Sequence, residues 1–179
     1  WEYYRLISKS HNIPTLNGQE QDPSGTATLT QFDTTGTFPH AQIDLTKGYL
    51  NQTKSIVRGT ALINNRRAVL VQDEFELSEK TNIAWGITTD ANIEIAGTTA
   101  TLTQDGQTLK AHILSPTGAT FTVESAEQGP PEKTNEGVKR LMIHLPDQLN
   151  QARISVLFSP QWPEGDNITK TEVSPLSKW

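Results

Sequence analysis

Residues 54–77, KSIVRGTALINNRRAVLVQDEFEL, contain two apolar runs separated by Asn64–Asn65. Asparagine tolerates the left-handed backbone of tight turns, so this pair predicts a hairpin between two strands. Every second residue of the later run would face the same side of a strand. These residues are Val69, Val71, Asp73, Phe75 and Leu77. The stretch therefore favours an antiparallel β-sheet.

The same pattern recurs on both sides of this hairpin. Asp105–Gly106 divides residues 98–116 into a second hairpin, and Asn17–Gly18 predicts a tight turn after residues 11–16. The other runs that suit strands are 3–8, 26–32, 41–50, 81–89, 92–97, 119–125, 138–145 and 152–160. Residues 146–152, PDQLNQA, suit either a helical turn or a loop. Roughly a dozen short strands with regular turn signals predict an all-β fold, an antiparallel sandwich of stacked sheets.

The length of 179 residues fits one domain that can bury a core without disulfides or metals. We expect residues 1–162 to form the β-sandwich and residues 163–179 to form a mostly irregular C-terminal tail. The chain begins with Trp1 rather than methionine, so we expect it to be a piece of a longer polypeptide.

The charge and composition exclude several functions. The formal net charge is −5 and the pI is about 5.3, which predicts no attraction to nucleic acid or to acidic membranes. No apolar run approaches the roughly 20 residues that cross a bilayer. The chain has no cysteine, which excludes disulfides, thiol chemistry and cysteine-ligated zinc but leaves the compartment open.

The four histidines do not form a local metal motif. His112 and His144 lie in predicted strands and are expected to face outward, and His40 lies in a predicted loop. His11, followed by Asn12, is either a polar residue at the end of a strand or one part of a reaction centre. A single histidine cannot hold zinc, because a zinc site needs three or four ligands.

Two further groups of residues have alternative interpretations. Lys54, Arg58, Arg66 and Arg67 form either an ordinary basic surface or a cluster that neutralises the carboxylates or sulfates of a polysaccharide. The adjacent Asp73 and Glu74 would face opposite sides of a strand and so cannot act as a facing acid–base pair. We expect them on a solvated edge or paired with Arg66 or Arg67.

Tryptophan residues provide the other candidates for carbohydrate binding. Trp85 suits a core position, where an aromatic ring buries a large area. Sugar rings also stack on exposed tryptophans, so Trp85, or Trp162 in its proline-flanked loop, is an alternative stacking platform.

Three segments, in order, resemble the C-terminal β-sheet region of the heparinase II/III-like polysaccharide lyases. Residues 3–21, YYRLISKSHNIPTLNGQEQ, resemble the segment in which a His-Asn run leads to an Asn-Gly turn. Residues 66–77, RRAVLVQDEFEL, resemble a later strand of that region, and residues 83–121 resemble its tryptophan strand and long hairpin. The resemblance extends from about residue 3 to about residue 160.

This resemblance implies that the chain is the C-terminal part of an α/α-toroid plus β-sandwich lyase. Such enzymes cleave uronic-acid polysaccharides by β-elimination, in which a base removes the proton next to the carboxylate. Most catalytic groups lie on the toroid. Of the family's site residues, His11 is carried over as a metal ligand that acts only with upstream ligands of the parent, and Asn12 as a substrate-binding residue. Tyr4, or alternatively Tyr3, is carried over as a catalytic residue. Ile13 and Pro14 depart from the family pattern, in which threonine follows the His-Asn pair.

We accordingly expect a structural, cleft-lining role in a bacterial periplasmic or secreted lyase. Its partners would be the N-terminal toroid and an anionic polysaccharide such as a glycosaminoglycan. The intact parent would hold zinc, whereas this chain alone would bind no cofactor and catalyse no reaction. Arg58, Arg66, Arg67 and Trp85 are the remaining candidates for substrate binding. The alternative is a stand-alone carbohydrate-binding β-sandwich module; a surface module that binds another protein is a third.

Overall fold

The computed structural model describes residues 3–165 and 172–179. These residues form twelve strands and short 3₁₀ helices at Tyr4–Leu6, Ser8–Ser10, Thr46–Tyr49 and Leu176–Lys178. The strands are β1 Thr15–Leu16, β2 Thr28–Asp33, β3 His40–Asp44, β4 Ser55–Ile63, β5 Ala68–Glu76, β6 Thr81–Thr89, β7 Asn92–Ala96, β8 Thr99–Gln104, β9 Gln107–Ser115, β10 Phe121–Ser125, β11 Lys139–Gln148 and β12 Gln151–Pro160.

The strands form two antiparallel sheets. The small sheet has the order β1-β6-β11-β10, and the large sheet has the order β2-β3-β4-β5-β12-β9-β8-β7. One apolar core contains Ile83 and Ile143 from the small sheet together with Phe75 and Val156 from the large sheet. The predicted all-β sandwich is therefore confirmed, because the two sheets bury one shared core.

The tight turns lie where the sequence predicts them. Asn64 and Asn65 have φ angles of 51° and 55° in the turn that joins β4 to β5. Asp105–Gly106 and Asn17–Gly18 also have positive φ angles, and the amide of Gln19 donates to the carbonyl of Leu16 over 2.9 Å. The left-handed residues at Asn64–Asn65 and Asp105–Gly106 let β4 pair with β5 and β8 with β9 without a long loop, whereas Asn17–Gly18 follows β1, which pairs with β6.

Strand β5 is buried on both faces, whereas the sequence predicts one buried face. Phe75 belongs to the core between the sheets, but Leu70 packs in a second cluster on the opposite face. Gln72, which also points away from the sheet–sheet core, is fully buried. A strand in the middle of a sheet that is covered on both sides loses the simple alternation of apolar and polar residues.

Two predictions of local structure are wrong. Residues 3–8 form the helices Tyr4–Leu6 and Ser8–Ser10 instead of a strand. A strand needs a backbone partner, but the amide of Thr88 on the neighbouring β6 is bonded by the side chain of Asn12. Residues 146–152, predicted as a helical turn or a loop, are mostly strand: β11 runs to Gln148 and β12 begins at Gln151, which leaves a tight turn at residues 149–150 with Asn150 at a φ of 63°.

The C-terminal residues cover the outer face of the large sheet. Leu176 is only 3% exposed, and its carbonyl accepts a bond of 2.9 Å from Nε2 of Gln42. Gly59 on β4 leaves space for this segment, since a Cβ at that position would collide with the side chains of Leu176 and Trp179. Residues 166–171 of the predicted tail lie outside the described residues.

No helix in the described part of the chain is long and apolar enough to cross a membrane.

Leu176→Ala should lower the free energy of unfolding by about 2 kcal/mol, because it leaves a cavity between the C-terminal segment and the large sheet. Urea unfolding measures the difference. Ser177→Ala, at the adjacent exposed position, is the control and should change little. Equal stability of Leu176→Ala and the wild type would contradict the packing described.

Candidate functional site

Residues 10–14, which we call the His-Asn segment, are fastened to both sheets by hydrogen bonds. On the small sheet, the amide of Thr88 donates to Oδ1 of Asn12 over 2.8 Å, and its hydroxyl donates to the carbonyl of Ser10 over 2.9 Å. On the large sheet, Nη1 of Arg58 donates to the carbonyl of Asn12 over 2.8 Å. The segment thus bridges the two sheets at one end of the sandwich.

Arg58 is itself held by a buried carboxylate. Its Nε and Nη2 donate to the two oxygens of Asp73 over 2.8 and 2.7 Å. Asp73 has no exposed surface, and its Oδ2 also accepts a 2.7 Å bond from Nε1 of Trp85. Burial lowers the pKa of the Arg58 guanidinium, but the charge and hydrogen bonds of Asp73 outweigh this effect and leave the pKa raised.

This geometry corrects the expectation for the two acidic residues of β5. Asp73 does not lie on a solvated edge and does not pair with Arg66 or Arg67, because Arg58 on the adjacent strand reaches it in a bidentate geometry. Glu74 faces the other side and pairs with Arg153 of β12 over 2.7 Å.

Tyr49 forms a third attachment of the His-Asn segment. Its side chain is fully buried, and its hydroxyl donates to the carbonyl of Pro14 over 2.6 Å. Burial raises the pKa of the phenol, and the negative charge of Asp73 raises it further. Tyr49 is therefore kept in the protonated form that can donate this bond.

His11 lies on the surface between two hollows. The larger, of about 490 Å³, is lined by residues that include Ile7, Ser8 and Asp22. The smaller, of about 210 Å³, is lined by residues that include Tyr4 and Thr88. His11 is exposed and contributes to the lining of both hollows.

Tyr4, which is half-buried, also lines the smaller hollow. Its amide donates to Oε2 of Glu132 over 2.6 Å. Burial raises the pKa of its phenol, Arg140 partly opposes this shift, and Glu124 adds to it. The phenol is protonated at neutral pH and is a hydrogen donor there. The structure brings the predicted site residues Tyr4, His11 and Asn12 to one end of the sandwich.

The four basic residues that the sequence offers as an anion-binding cluster do not lie together in the structure. Lys54 precedes β4, whereas Arg66 and Arg67 lie beyond its far end, roughly 30 Å away along nine strand residues. Arg66 is exposed and donates to the carbonyl of Thr34 over 3.0 Å. Arg58 lies between these ends. A shared anion site for all four side chains is excluded by this separation.

Trp85 is a core residue in the structure, as one interpretation of the sequence has it, and the alternative of a sugar-stacking platform is wrong. The ring is 2% exposed and stacks on Phe158 with centroids 6.5 Å apart, so no face is open to a sugar. Trp162 is half-buried, and the guanidinium of Arg67 lies 5.2 Å from its ring centroid. One face of that ring is therefore already covered by a cation.

The other three histidines do not form a common site with His11. His144 bonds to Glu124 over 2.8 Å, and Nδ1 of His112 lies 3.1 Å from the hydroxyl of Thr99. His40 is the first residue of β3 and not a loop residue. Within residues 3–165 and 172–179, no group of three or more histidine and acidic side chains is arranged to hold a metal ion.

Sequence reasoning missed Tyr49, Thr88 and Arg140, which all surround the His-Asn segment. Their contacts join residues 35 to 129 positions apart. No short motif carries such contacts. The one local signal was Tyr49, an aromatic residue at the end of a predicted strand.

Comparisons with known proteins identify the architecture. No protein-family model and no curated protein matches the sequence. Among solved structures, the heparan sulfate lyase HepC from Pedobacter heparinus is similar with a TM-score of 0.68 and 16% identity, over 86% of this chain and 24% of that chain. A heparinase III with methylated lysines is similar with a TM-score of 0.68 and 15% identity, over 86% of this chain and 24% of that chain. Another heparinase III is similar with a TM-score of 0.65 and 10% identity, over 83% of this chain and 23% of that chain.

These similarities show that the chain has the fold of one part of the heparinase structures, as the sequence resemblance implied. The chain spans about a quarter of the length of the lyases that it matches.

Arg58→Met should lower the free energy of unfolding by about 3–5 kcal/mol, because it leaves the buried carboxylate of Asp73 without a counter-charge. Chemical denaturation measures the loss. Arg66→Met removes an exposed arginine next to the same hairpin and should change stability by no more than about 0.5 kcal/mol. Adding Asp73→Asn to Arg58→Met should restore part of the loss. Similar effects of the two arginine variants would refute a structural role for the buried pair.

Tyr49→Phe should lower the free energy of unfolding by about 1–3 kcal/mol at neutral pH, because the carbonyl of Pro14 loses its buried hydrogen-bond donor. The pKa of Tyr49 is higher in the folded than in the unfolded chain, so the unfolded chain releases its proton first as the pH rises. The free energy of unfolding of the wild type should therefore decrease above about pH 10. That of Tyr49→Phe, which lacks the phenol, should decrease much less over the same pH range. Urea unfolding at pH 7 and pH 10.5 tests this. Tyr3→Phe, at an exposed position, is the control.

Proposed function

We propose that this chain is the C-terminal β-sandwich domain of a heparinase II/III-like polysaccharide lyase, in which it has a structural role and forms one wall of the substrate cleft. The observation that carries the proposal is the fold shared with heparan sulfate lyase over 86% of this chain, at about a quarter of that enzyme's length. The exposed position of His11 on a firmly anchored segment supports a cleft-lining role.

The His-Asn segment would contribute to β-elimination at a uronic acid. His11 would be a ligand of the zinc ion in the intact protein, together with upstream residues. Tyr4, with its protonated phenol, would exchange a proton with the polysaccharide as a general acid–base group. Asn12 would act as a positioning residue, because Oδ1 and the carbonyl are both occupied by hydrogen bonds that fix the backbone beside His11.

The residues of this chain fit a zinc site only in part. The imidazole of His11 is a suitable zinc ligand and makes no hydrogen bond within the described residues. The described part of the chain supplies no further ligands near it. A zinc ion bound to His11 would lend Lewis acidity to the site, and the other ligands would come from outside this chain.

The larger assembly follows from the same proposal. The N-terminal toroid would be the partner that completes the cleft, and a bacterial periplasmic or secreted location would suit an enzyme that degrades extracellular glycosaminoglycan. A stand-alone carbohydrate-binding module has less support, since the ring of Trp85 is buried and that of Trp162 carries Arg67 on one face.

The proposal predicts a long, mostly helical coding region upstream of this chain, and lyase activity only in the intact protein. Ultraviolet absorbance of unsaturated product from heparin, heparan sulfate and alginate measures that activity. In the intact protein, His11→Ala should reduce the rate on the order of a hundredfold or more. His144→Ala, which removes an exposed histidine bonded to Glu124, is the control. Absence of the helical region, or product formation by the 179-residue chain alone, would disprove the proposal.

A further inference from the structure

The small sheet covers part of the inner face of the large sheet and leaves the rest open. Phe75 on β5 and Ile56, its partner on β4, belong to the core between the sheets. Every second residue of a strand faces the same side, so Leu62 of β4 and its partner Val69 of β5 also face inward. Val69 is nevertheless 38% exposed. The inner face therefore emerges from beneath the small sheet toward this end of β4 and β5.

The open part of the inner face continues over β3 and β2. Ala41 of β3 lies opposite Thr60 on the inner face of β4, and Phe32 of β2 lies opposite Ala41. Leu29 lies opposite Ile43 on the same face, since directly paired residues share a face. Leu29 is 58% exposed and Phe32 is 66% exposed. We use the name open apolar face for the surface formed by Leu29, Phe32, Ala41, Ile43, Leu62 and Val69.

The open apolar face ends at an unprotected strand edge. Strand β2 is the last strand of the large sheet, so its outer edge has no strand partner within the described residues, and all its side chains are exposed. Soluble proteins usually protect such an edge with lysine, proline, bulges or charges. Of these devices β2 has a register shift between Leu29 and Gln31 and one terminal charge, Asp33. Both the edge and the exposed apolar side chains indicate a surface that binds another polypeptide.

The chemistry of the open apolar face suits protein rather than an anionic polysaccharide. It includes a hollow of about 240 Å³ whose lining contains Phe32, Leu62 and Val69. The charged residues in this lining are Asp33, at the end of β2, and Arg66, in the turn beyond β4. Carboxylates and sulfates need cations around them, whereas apolar side chains gain most from burial against another apolar surface.

The open apolar face borders the His-Asn segment. Ile43 lies opposite Arg58 on β4, and Nη1 of Arg58 donates to the carbonyl of Asn12. In the proposed function, upstream residues of the lyase come together with His11, so they approach the same end of the sandwich. Because the chain spans about a quarter of the length of the heparan sulfate lyase, most of a polypeptide of that length would lie outside it. The upstream polypeptide is therefore the occupant that both position and chemistry favour.

We propose that the open apolar face is the docking surface for the upstream part of the lyase polypeptide, which packs on it through an apolar surface of its own. The inference rests on the proposed function for the identity of this partner. Burial of Leu29, Phe32 and Val69 would supply the attraction, and the partner would cover the free edge of β2. Docking beside Arg58 would hold the upstream residues in a fixed position relative to His11.

The absence of cysteine from the chain allows a direct test by thiol labelling. Leu29→Cys places a thiol on the open apolar face. Leu149→Cys is the matched control, because Leu149 is 56% exposed and lies in the turn next to Gln151, at the opposite end of β5. A maleimide should label both variants rapidly in the 179-residue chain. In the intact protein, labelling of Leu29→Cys alone should be slower by roughly tenfold or more, as measured by the mass of the labelled peptide.

Other outcomes of the labelling experiment overturn the docking surface. Equal rates at the two positions in the intact protein would mean that no partner covers the open apolar face selectively. In the 179-residue chain, slowing of Leu29→Cys that increases with protein concentration would identify a second copy as the occupant. Slowing on addition of heparan sulfate would identify a sugar.

A second variant tests whether the contact stabilises the intact protein. Phe32→Ser should lower the midpoint of thermal unfolding of the intact protein, because an apolar contact with the partner is lost. The same variant should change the midpoint of the 179-residue chain little, since Phe32 is exposed there. Leu149→Ser is the control and should lower neither midpoint. An equal decrease for Phe32→Ser in both proteins would mean that Phe32 stabilises the sandwich itself, and would contradict the docking surface.

The two proposals fail separately. Slow labelling of Leu29→Cys in an intact protein that has no lyase activity would support the docking surface and contradict the proposed function. Rapid labelling in an intact protein that cleaves heparan sulfate would contradict the docking surface and leave the proposed function intact.

Discussion

The bidentate pair between Arg58 and Asp73 is the constraint on which this end of the sandwich depends. Asp73 is fully buried between the sheets, so its charge requires a partner that is equally well positioned. Arg58 supplies that partner, and its remaining Nη1 extends outward to the carbonyl of Asn12. Trp85 donates to the same carboxylate from the opposite sheet. One buried charge thereby fixes the distance between the sheets and the position of the His-Asn segment.

Coverage of the large sheet on two sides explains how this pair can be so deeply buried. The small sheet covers the face of β5 that carries Asp73, while residues 172–179 cover the face that carries Gln72. Asp73 and Gln72 both have no exposed surface, and this burial strengthens the ion pair of Asp73 and raises the cost of breaking it. The C-terminal segment therefore contributes to the rigidity of the sheet that holds Arg58, although it lies on the opposite face from the His-Asn segment.

The fold could be predicted from the sequence because its signals are local. Asn64–Asn65 and Asp105–Gly106 specify tight turns through the backbone of a few residues, and each of the strands β2 to β12 overlaps a run that the sequence predicts as a strand. The site could be predicted only where a motif was contiguous, as at His11 and Asn12. The partner of Asp73 was misassigned because strand register, which places Arg58 directly across from it, is a long-range property.

The same distinction explains why Arg140 carries no sequence signal. An arginine beside Leu141 on a strand resembles any outward-facing charge, and only the chain that crosses above it makes it buried. That crossing chain includes the His-Asn segment, because the carbonyl of His11 accepts a bond from Nη2 of Arg140. Asn12 helps to hold the same chain in place, since its Oδ1 accepts from the amide of Thr88, which lies opposite Arg140 on β6. A histidine and an arginine that are 129 positions apart become neighbours through one asparagine.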